Sequence, residues 1–280
     1  MRIVTDELLE KYECYLREEE KSKATIEKYL CDLRKFQRFA GEQEVTKRLT
    51  VAYKEHFVSK QQYEISSINS FLVALNRLLE YAGWYDARVK TYKVQKAAFA
   101  PENKYLTKAE YKRLVEAARR NGNGRLALIL NTICSTGIRI SELSYITVAS
   151  VKRGKVVIHN KGKIRTILIP TQLQKELGVY VAQHKIAQGI VFCTATGKPI
   201  NRSNVWREMK MLYKEAGVDA EKIFPHNLRH LFAQCFYELK KDIAKLADVL
   251  GHNSIETTRI YIRTSCEEHR KQLEMLGLVL

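Results

Sequence analysis

The sequence predicts a mostly α protein in two parts: an N-terminal helical bundle and a longer α-rich domain with a small antiparallel β-sheet. Three observations lead there. Apolar residues recur at three- and four-residue steps through most of the chain. One segment, residues 155–170, switches to β-branched runs on either side of a polar, glycine-containing turn. Residues 85–103, between the two parts, lose the helical period and turn basic.

The elements follow in order. Residues 5–20 make a first helix. In SKATIEKYLCDLRKFQRFA, Ile26, Tyr29, Leu30, Leu33 and Phe36 share one face, with Ser22 as N-cap and Gly41 as stop. Residues 46–59 supply a third helix. SSINSFLVALNRLLEYAG supplies a fourth through Ile68, Phe71, Leu72, Leu75, Leu78 and Leu79, ending at Gly83. Residues 1–84 are therefore expected as a bundle of about four helices. The stretch 85–103 holds Asp86, Arg88, Lys90, Lys93 and Lys96 before Glu102 and reads as a basic interdomain linker.

The second domain, 104–280, opens at LTKAEYKRLVEAA. Thr107 and Glu110 form a capping box, with Leu106 and Tyr111 as its hydrophobic staple. RLALILNTICST is apolar nearly all round and reads as a buried central helix. KVVIHNKGKIRTILIP reads as a β-hairpin, GIVFC as a third short strand, and the chain beyond 200 as helical again.

Composition excludes several classes. The 280 residues are 45% hydrophobic, enough for real cores. The opening MRIVTDELLEKYECYL interleaves acids with apolar residues, so no signal peptide is expected. No window reaches membrane-span length. A soluble, cytoplasmic protein with no membrane partner is expected. Cysteines 14, 31, 134, 193, 235 and 266 show no CxxC pairing, so they read as reduced, mostly buried thiols. No metal-ligand spacing appears, and neither a metal nor a cofactor is expected.

The net charge of +17 is uneven. Residues 1–102 carry 18 Lys/Arg against 16 Asp/Glu, whereas residues 103–280 carry 30 against 15. A solubility surplus does not favour one half. A polyanion partner does, and nucleic acid is the commonest one. Binding should then weaken steeply with salt as counterions are released.

Five stretches place an ionisable group beside a structural marker. In STGIRISEL, Gly137 allows a tight turn, Arg139 follows, and Glu142 lies one helical turn on. The hairpin turn carries Lys161, Lys163 and Arg165. In PHNLRHLFAQ, Pro225 fits a helix start, so His226 and Arg229 sit near backbone N–H groups that favour an anion. His230 there also fits a satisfied core position. In ADVLGHNS, Gly251 stops a helix and His252 projects beyond it. In SIETTRIYIRTS, Tyr261 lies nine residues after His252. Taken singly, each has an ordinary structural reading: a surface ion pair, solubilising lysines, a histidine after a helix, one tyrosine among 15.

Taken in order, TGIRISEL, a hairpin lysine, PHNLRHLFA, LGH and TTRIY resemble the tyrosine recombinase (phage integrase) family, nearest its Xer-like members and short integrases. The resemblance spans essentially the whole chain. It implies that the N-terminal bundle is a SAM-like core-binding domain that binds DNA, opening the chain without an arm-site domain before it. The family's two phosphate-clamping arginines fall on Arg139 and Arg229, its hairpin lysine on Lys161, its histidines on His226 and His252, and its nucleophile on Tyr261. Glu142 matches the acidic orienting position and His230 a framework position. Two departures stand out. NKGKIR is compact for the family's hairpin, which leaves Lys163 as a rival to Lys161, and Ile262 and Arg263 replace small polar residues.

The implied chemistry suits these groups. Phosphodiester cleavage by a side chain needs an in-line nucleophile, charge held on the non-bridging oxygens, and a proton for the departing 5′-oxygen. Arginines stay charged and donate paired hydrogen bonds to phosphate. A phenol with a pKa of roughly 10 needs a base or a cationic setting. The expected activity is site-specific recombination of double-stranded DNA through a 3′-phosphotyrosyl intermediate. The expected assembly is a homotetramer on two DNA sites, formed from a monomer or weak dimer, with accessory DNA-bending or directionality proteins as compatible partners. The apolar end of CEEHRKQLEMLGLVL suits docking on the same or a neighbouring chain. Two alternatives stay open at this point: a type IB topoisomerase-like nickase, and a DNA-binding regulator that has lost catalysis.

Overall fold

Amphipathic stripes assemble the N-terminal unit, Met1–Lys96. It contains α1 (Asp6–Glu18), α2 (Lys23–Ala40), α3 (Lys47–Ser59) and α4 (Ile65–Tyr81). The sequence signals act as expected: the Ser22 hydroxyl accepts from the Thr25 amide, and Gly41 caps α2 at φ +57°. The apolar faces converge on Tyr12, Leu33, Phe36, Tyr53, Leu72, Leu75, Leu78 and Leu79, all essentially sealed from solvent. The computed structural model describes residues 1–59, 62–94, 104–160, 163–194, 196–252, 254–261, 270 and 274–276.

The segment from 85 onward, read from sequence as linker, is held by this unit through residue 92. Asn76 of α4 donates to the Val89 carbonyl at 2.7 Å and accepts from its amide at 2.9 Å. Asn69, two turns earlier, grips Tyr92 in the same two-bond way. Thr50 donates to the buried Ala87 carbonyl. A side-chain amide that satisfies both backbone groups of one residue gives an extended segment the bonds a strand partner would supply. The periodicity of a helix was absent, but a docked extended segment has no helical period to show.

The second unit, Ala97–Leu280, is built round α6 (Gly124–Thr136), whose faces are nearly all buried. It follows α5 (Lys108–Arg120), which starts at the capping box of Thr107 and Glu110. A 3-10 turn, Ile140–Tyr145, and α7 (Val148–Arg153) lead to β1 (Lys155–Asn160) and β2 (Lys163–Leu168). The strands are antiparallel, from Lys155 opposite Leu168 to Asn160 opposite Lys163. Val156, Ile158 and Ile167 face the core, whereas Val157, Ile164 and Leu168 are exposed.

Next come α8 (Thr171–Gln183), α9 (Arg202–Met211) and α10 (Tyr213–Ala216). The last elements are α11 (Pro225–Lys240), α12 (Ile243–Leu250), α13 (Ile255–Thr258) and a 3-10 turn, Arg259–Tyr261.

Two expectations are corrected. GIVFC does not form a third strand: it contributes only isolated bridges, Thr147 with Ile190 and Cys193 with Pro199, beside the two-stranded sheet. Val191 and Phe192 are fully buried, so the apolar run marks core, and a buried loop imitates a strand in so short a window. The cysteines are free but not mostly buried. Cys14 and Cys31 are exposed, Cys134, Cys193 and Cys235 are half-buried, and Cys266 lies outside the described residues. Among those residues no helix is long and apolar enough to cross a membrane.

Candidate active site

The end of α6 sets the first residue. Gly137 caps it in the left-handed region at φ +65°, where an added Cβ would sit 2.5 Å from the Phe232 ring. The chain can then turn at once into the 3-10 segment that carries Arg139 and Glu142. Glu142 is buried and takes three bonds. Its Oε1 accepts from Arg139 Nη1 at 3.0 Å, and its Oε2 from the Arg139 amide at 2.9 Å and from Arg165 Nη2 at 2.5 Å. The pair of Arg139 and Glu142 is therefore not the weak surface contact that its spacing alone allows. Arg139 keeps an open face, with its side chain 35% exposed.

Arg229 lies on α11, one turn in from Pro225 at the helix start, and is 1% exposed. Its Nη1 donates to the Gly137 carbonyl, and its Nη2 donates to the Leu250 carbonyl at 2.6 Å and to His252 Nε2 at 3.1 Å. Burial and the neighbouring Arg139 lower its pKa to about 10, still well above neutrality. Two guanidiniums, those of Arg139 and Arg165, thus share the carboxylate of Glu142, and that of Arg229 beside them meets carbonyls and an imidazole but no carboxylate among the described residues. Such a cluster has unspent affinity for an anion.

His252 follows the left-handed cap of α12, Gly251 at φ +64°. A guanidinium only donates, so Nε2 of His252 is the acceptor from Arg229 and its proton sits on Nδ1, shared with Thr258 Oγ1 at 2.9 Å. Burial, then Arg229, Arg139 and Arg165, push its pKa down to about 4.

Tyr261 packs with Ala233, Leu246 and Leu250 and is 2% exposed. Its hydroxyl lies 3.2 Å from His226 Nε2. His226 keeps an exposed side, but partial desolvation, followed by Arg229 and Arg139, lowers its pKa, which favours the neutral ring that can accept the phenolic proton. The His252 ring lies nearly parallel to Tyr261 at 5.6 Å, and the His230 ring is tilted at 4.9 Å.

His230 is both core and support: it is buried, stacks on Tyr105 at 3.6 Å, and donates from Nε2 to the Ile260 carbonyl at 3.3 Å. Burial above all lowers its pKa to about 4. It fixes the backbone just before Tyr261.

The structure therefore gathers Arg139, Glu142, His226, Arg229, His230, His252 and Tyr261 from four separate stretches. Lys161 lies outside the described residues. Lys163 opens β2 opposite Asn160, and its side chain lies outside them as well. Sequence reasoning missed Arg165 as a partner of Glu142, Thr258 as the partner of His252, and the Leu250 carbonyl that receives both Arg165 and Arg229. Arg165 had a signal. It stands two residues before Ile167 and opposite Ile158, which puts a charge on the strand's buried face.

Comparison with known proteins agrees. The phage integrase family model matches residues 104–268, and the model of the phage integrase N-terminal SAM-like domain matches residues 9–85. The tyrosine recombinase XerA of Pyrococcus furiosus is 30% identical over 287 residues, covering 99% of this chain and 96% of that protein. A crystal structure of XerA recombinase superposes with a TM-score of 0.54 at 26% identity, covering 97% of this chain and 98% of that one. A post-cleavage complex of the XerH site-specific recombinase with a palindromic difH substrate gives a TM-score of 0.76 at 18% identity, covering 96% and 84%. The chain belongs to the phage integrase family, the tyrosine recombinases.

Proposed function

We propose that this chain breaks and rejoins duplex DNA at a specific site through a covalent 3′-phosphotyrosyl intermediate. The observation that carries the reading is the contact between the Tyr261 hydroxyl and a neutral His226, set beside guanidiniums that outnumber their carboxylate. Arg139, by its open face, and Arg229 hold the non-bridging oxygens of the scissile phosphate. Tyr261 attacks phosphorus, its proton passes to His226, and the bond from phosphorus to the 5′-oxygen breaks. Lys161 donates the proton that the 5′-oxygen takes up, with Lys163 as the alternative donor.

His252 is an acceptor while no phosphate is bound. The singly charged phosphodiester beside it, and still more the doubly charged pentacoordinate transition state, favours its protonated form, which converts Nε2 into a further donor. Reversal by the 5′-hydroxyl of another strand completes exchange, and the energy of the broken bond is kept in the phosphotyrosine. No step draws on a cofactor.

Exchange between two sites calls for four chains on two duplexes. A solved structure of lambda integrase shows a tetramer bound to a Holliday junction, which supports the same assembly here; the free chain is proposed to be a monomer or weak dimer. The basic second half supplies the phosphate contacts. The proposed setting is the cytoplasm, on nucleoid DNA.

A supercoiled plasmid carrying two copies of the target site tests the reading. Recombinant circles or inverted segments, detected by restriction mapping, are expected. Relaxed topoisomers without exchange would place the chain with the nickases instead.

A further inference from the structure

The reaction described above uses a lysine on the hairpin turn, yet that turn has to be held against the phosphate site. Two contacts anchor the strands on either side of it, one on each strand. On β1, the Tyr145 hydroxyl donates to the His159 carbonyl at 2.8 Å, one residue before the strand ends at Asn160. On β2, Arg165 lies two residues after the strand begins. Its Nη2 reaches Glu142 Oε2 at 2.5 Å, and its Nη1 donates to the Leu250 carbonyl.

Packing alone does not ask for an arginine at 165. The position shares its face with Val156, Ile158 and Ile167, all buried, and an apolar side chain would fill it. A guanidinium there is desolvated, its side chain is only 13% exposed, and its Nε has no partner among the described residues. Such an arrangement is seldom retained for stability alone. The rest of the site also makes room for it: a Cβ on Gly251 would lie 2.5 Å from Arg165 Cδ. Glu142 divides its oxygens between the two arginines, with Oε1 to Arg139 and Oε2 to Arg165. The Leu250 carbonyl likewise takes Arg229 and Arg165. Arg165 is thus the side chain that joins the hairpin to both phosphate-binding arginines.

We propose that Arg165 is a positioning residue for the cleavage step, fixing the hairpin tip so that its lysine meets the departing 5′-oxygen. This rests on the proposed role of Lys161. It separates Arg165 from the phosphate clamp itself, because the effect of Arg165 passes through proton delivery to the leaving group.

Leaving-group chemistry makes the test. A duplex with sulfur in place of the bridging 5′-oxygen at the cleaved position expels a thiolate. Thiols ionise near pKa 8.5, so this departure needs no proton donor. Single-turnover formation of the covalent adduct is measured on oxygen and sulfur duplexes for Arg165→Met, Arg165→Lys, Lys161→Met and Arg229→Met. Arg165→Met is expected to lose about 100-fold on the oxygen duplex, the scale of general-acid catalysis, and less than about 5-fold on the sulfur one. Lys161→Met should show the same pattern, and Arg229→Met should be slow on both.

Arg165→Lys, which keeps the charge but only one of the two contacts, is expected to show a smaller loss with the same rescue. It decides the matter if the methionine variant does not fold. An equal loss on both duplexes for the Arg165 variants, with Lys161→Met rescued, overturns the inference and leaves the reading of Lys161 intact. A Lys161→Met variant that sulfur does not rescue overturns that reading itself.

Discussion

Removing Glu142 should both destabilise the second unit and make it responsive to anions. Glu142 is 5% exposed in its side chain and balances Arg139 and Arg165 directly, with Arg229 on the next carbonyls. Glu142→Ala leaves these cations without their carboxylate. Breaking a buried pair costs about 3–5 kcal/mol, and the lost bond to the Arg139 amide, which caps the 3-10 turn, belongs to a class worth about 1 kcal/mol. The two losses overlap where water enters, so about 4 kcal/mol is the working figure. A unit of this size shifts by roughly 3 °C per kcal/mol, which places the expected fall near 12 °C. Scanning calorimetry of the full chain reads it, on the transition assigned to the second unit. Sulfate or phosphate should restore more of the loss in Glu142→Ala than it adds to the native chain, because a bound anion takes the carboxylate's place. A fall below about 3 °C, with no extra response to sulfate, would show the guanidiniums to be hydrated and self-sufficient, and would refute the reasoning.

Three further outcomes are expected. The pKa values of His230 and His252 lie near 4, below the ordinary 6.5, so the folded state binds fewer protons than the unfolded one. Their stabilising contribution is full above pH 6.5 and is lost as pH falls towards 4, on the order of 3 kcal/mol from His230; urea melts between pH 7.5 and 4.5 check this. Because His226 must be neutral and its pKa is lowered, the acid limb of the cleavage rate should fall below the usual histidine value in a pH profile of adduct formation. Gly251→Ala meets both a left-handed backbone and Arg165 Cδ, so a loss of about 2 kcal/mol is expected, part of it recovered in an Arg165→Ala background when the two are compared by denaturant melts.

Much of this was legible in the sequence because the signals were local. Ser22, Gly41, Thr107, Glu110, Gly137, Pro225 and Gly251 each mark a helix end by their own backbone chemistry, and each does so in the structure. Local signals put Arg139 just after the buried helix, His226 and Arg229 in the first turns of a helix and His252 just past a helix stop, as the structure has them. What stayed hidden was long-range. Asn69 and Asn76 sit at ordinary exposed helix spacing, and nothing local says that they hold residues 89 and 92. Arg165 passed for a solubilising turn residue because Ile164 and Leu168, which look like the buried face, are the exposed ones. The strength of the pair of Arg139 and Glu142 depends on burial, which spacing does not report. Thr258 carries no local sign that it sets the proton of His252.

The most direct test of the central claim is to locate the covalent bond. The chain has 15 tyrosines, so an adduct seen on a gel does not by itself identify the nucleophile. The protein is incubated with a nicked duplex of its target in the presence of chelator, digested with protease and nuclease, and the nucleotide-bearing peptide is sequenced by mass spectrometry. The expected product is one nucleotide joined through its 3′-phosphate to Tyr261, with a free 5′-hydroxyl on the released strand and no adduct from a Tyr261→Phe variant that still binds the DNA. An adduct on another residue, a 5′-linkage, or cleavage that survives in Tyr261→Phe would contradict the account.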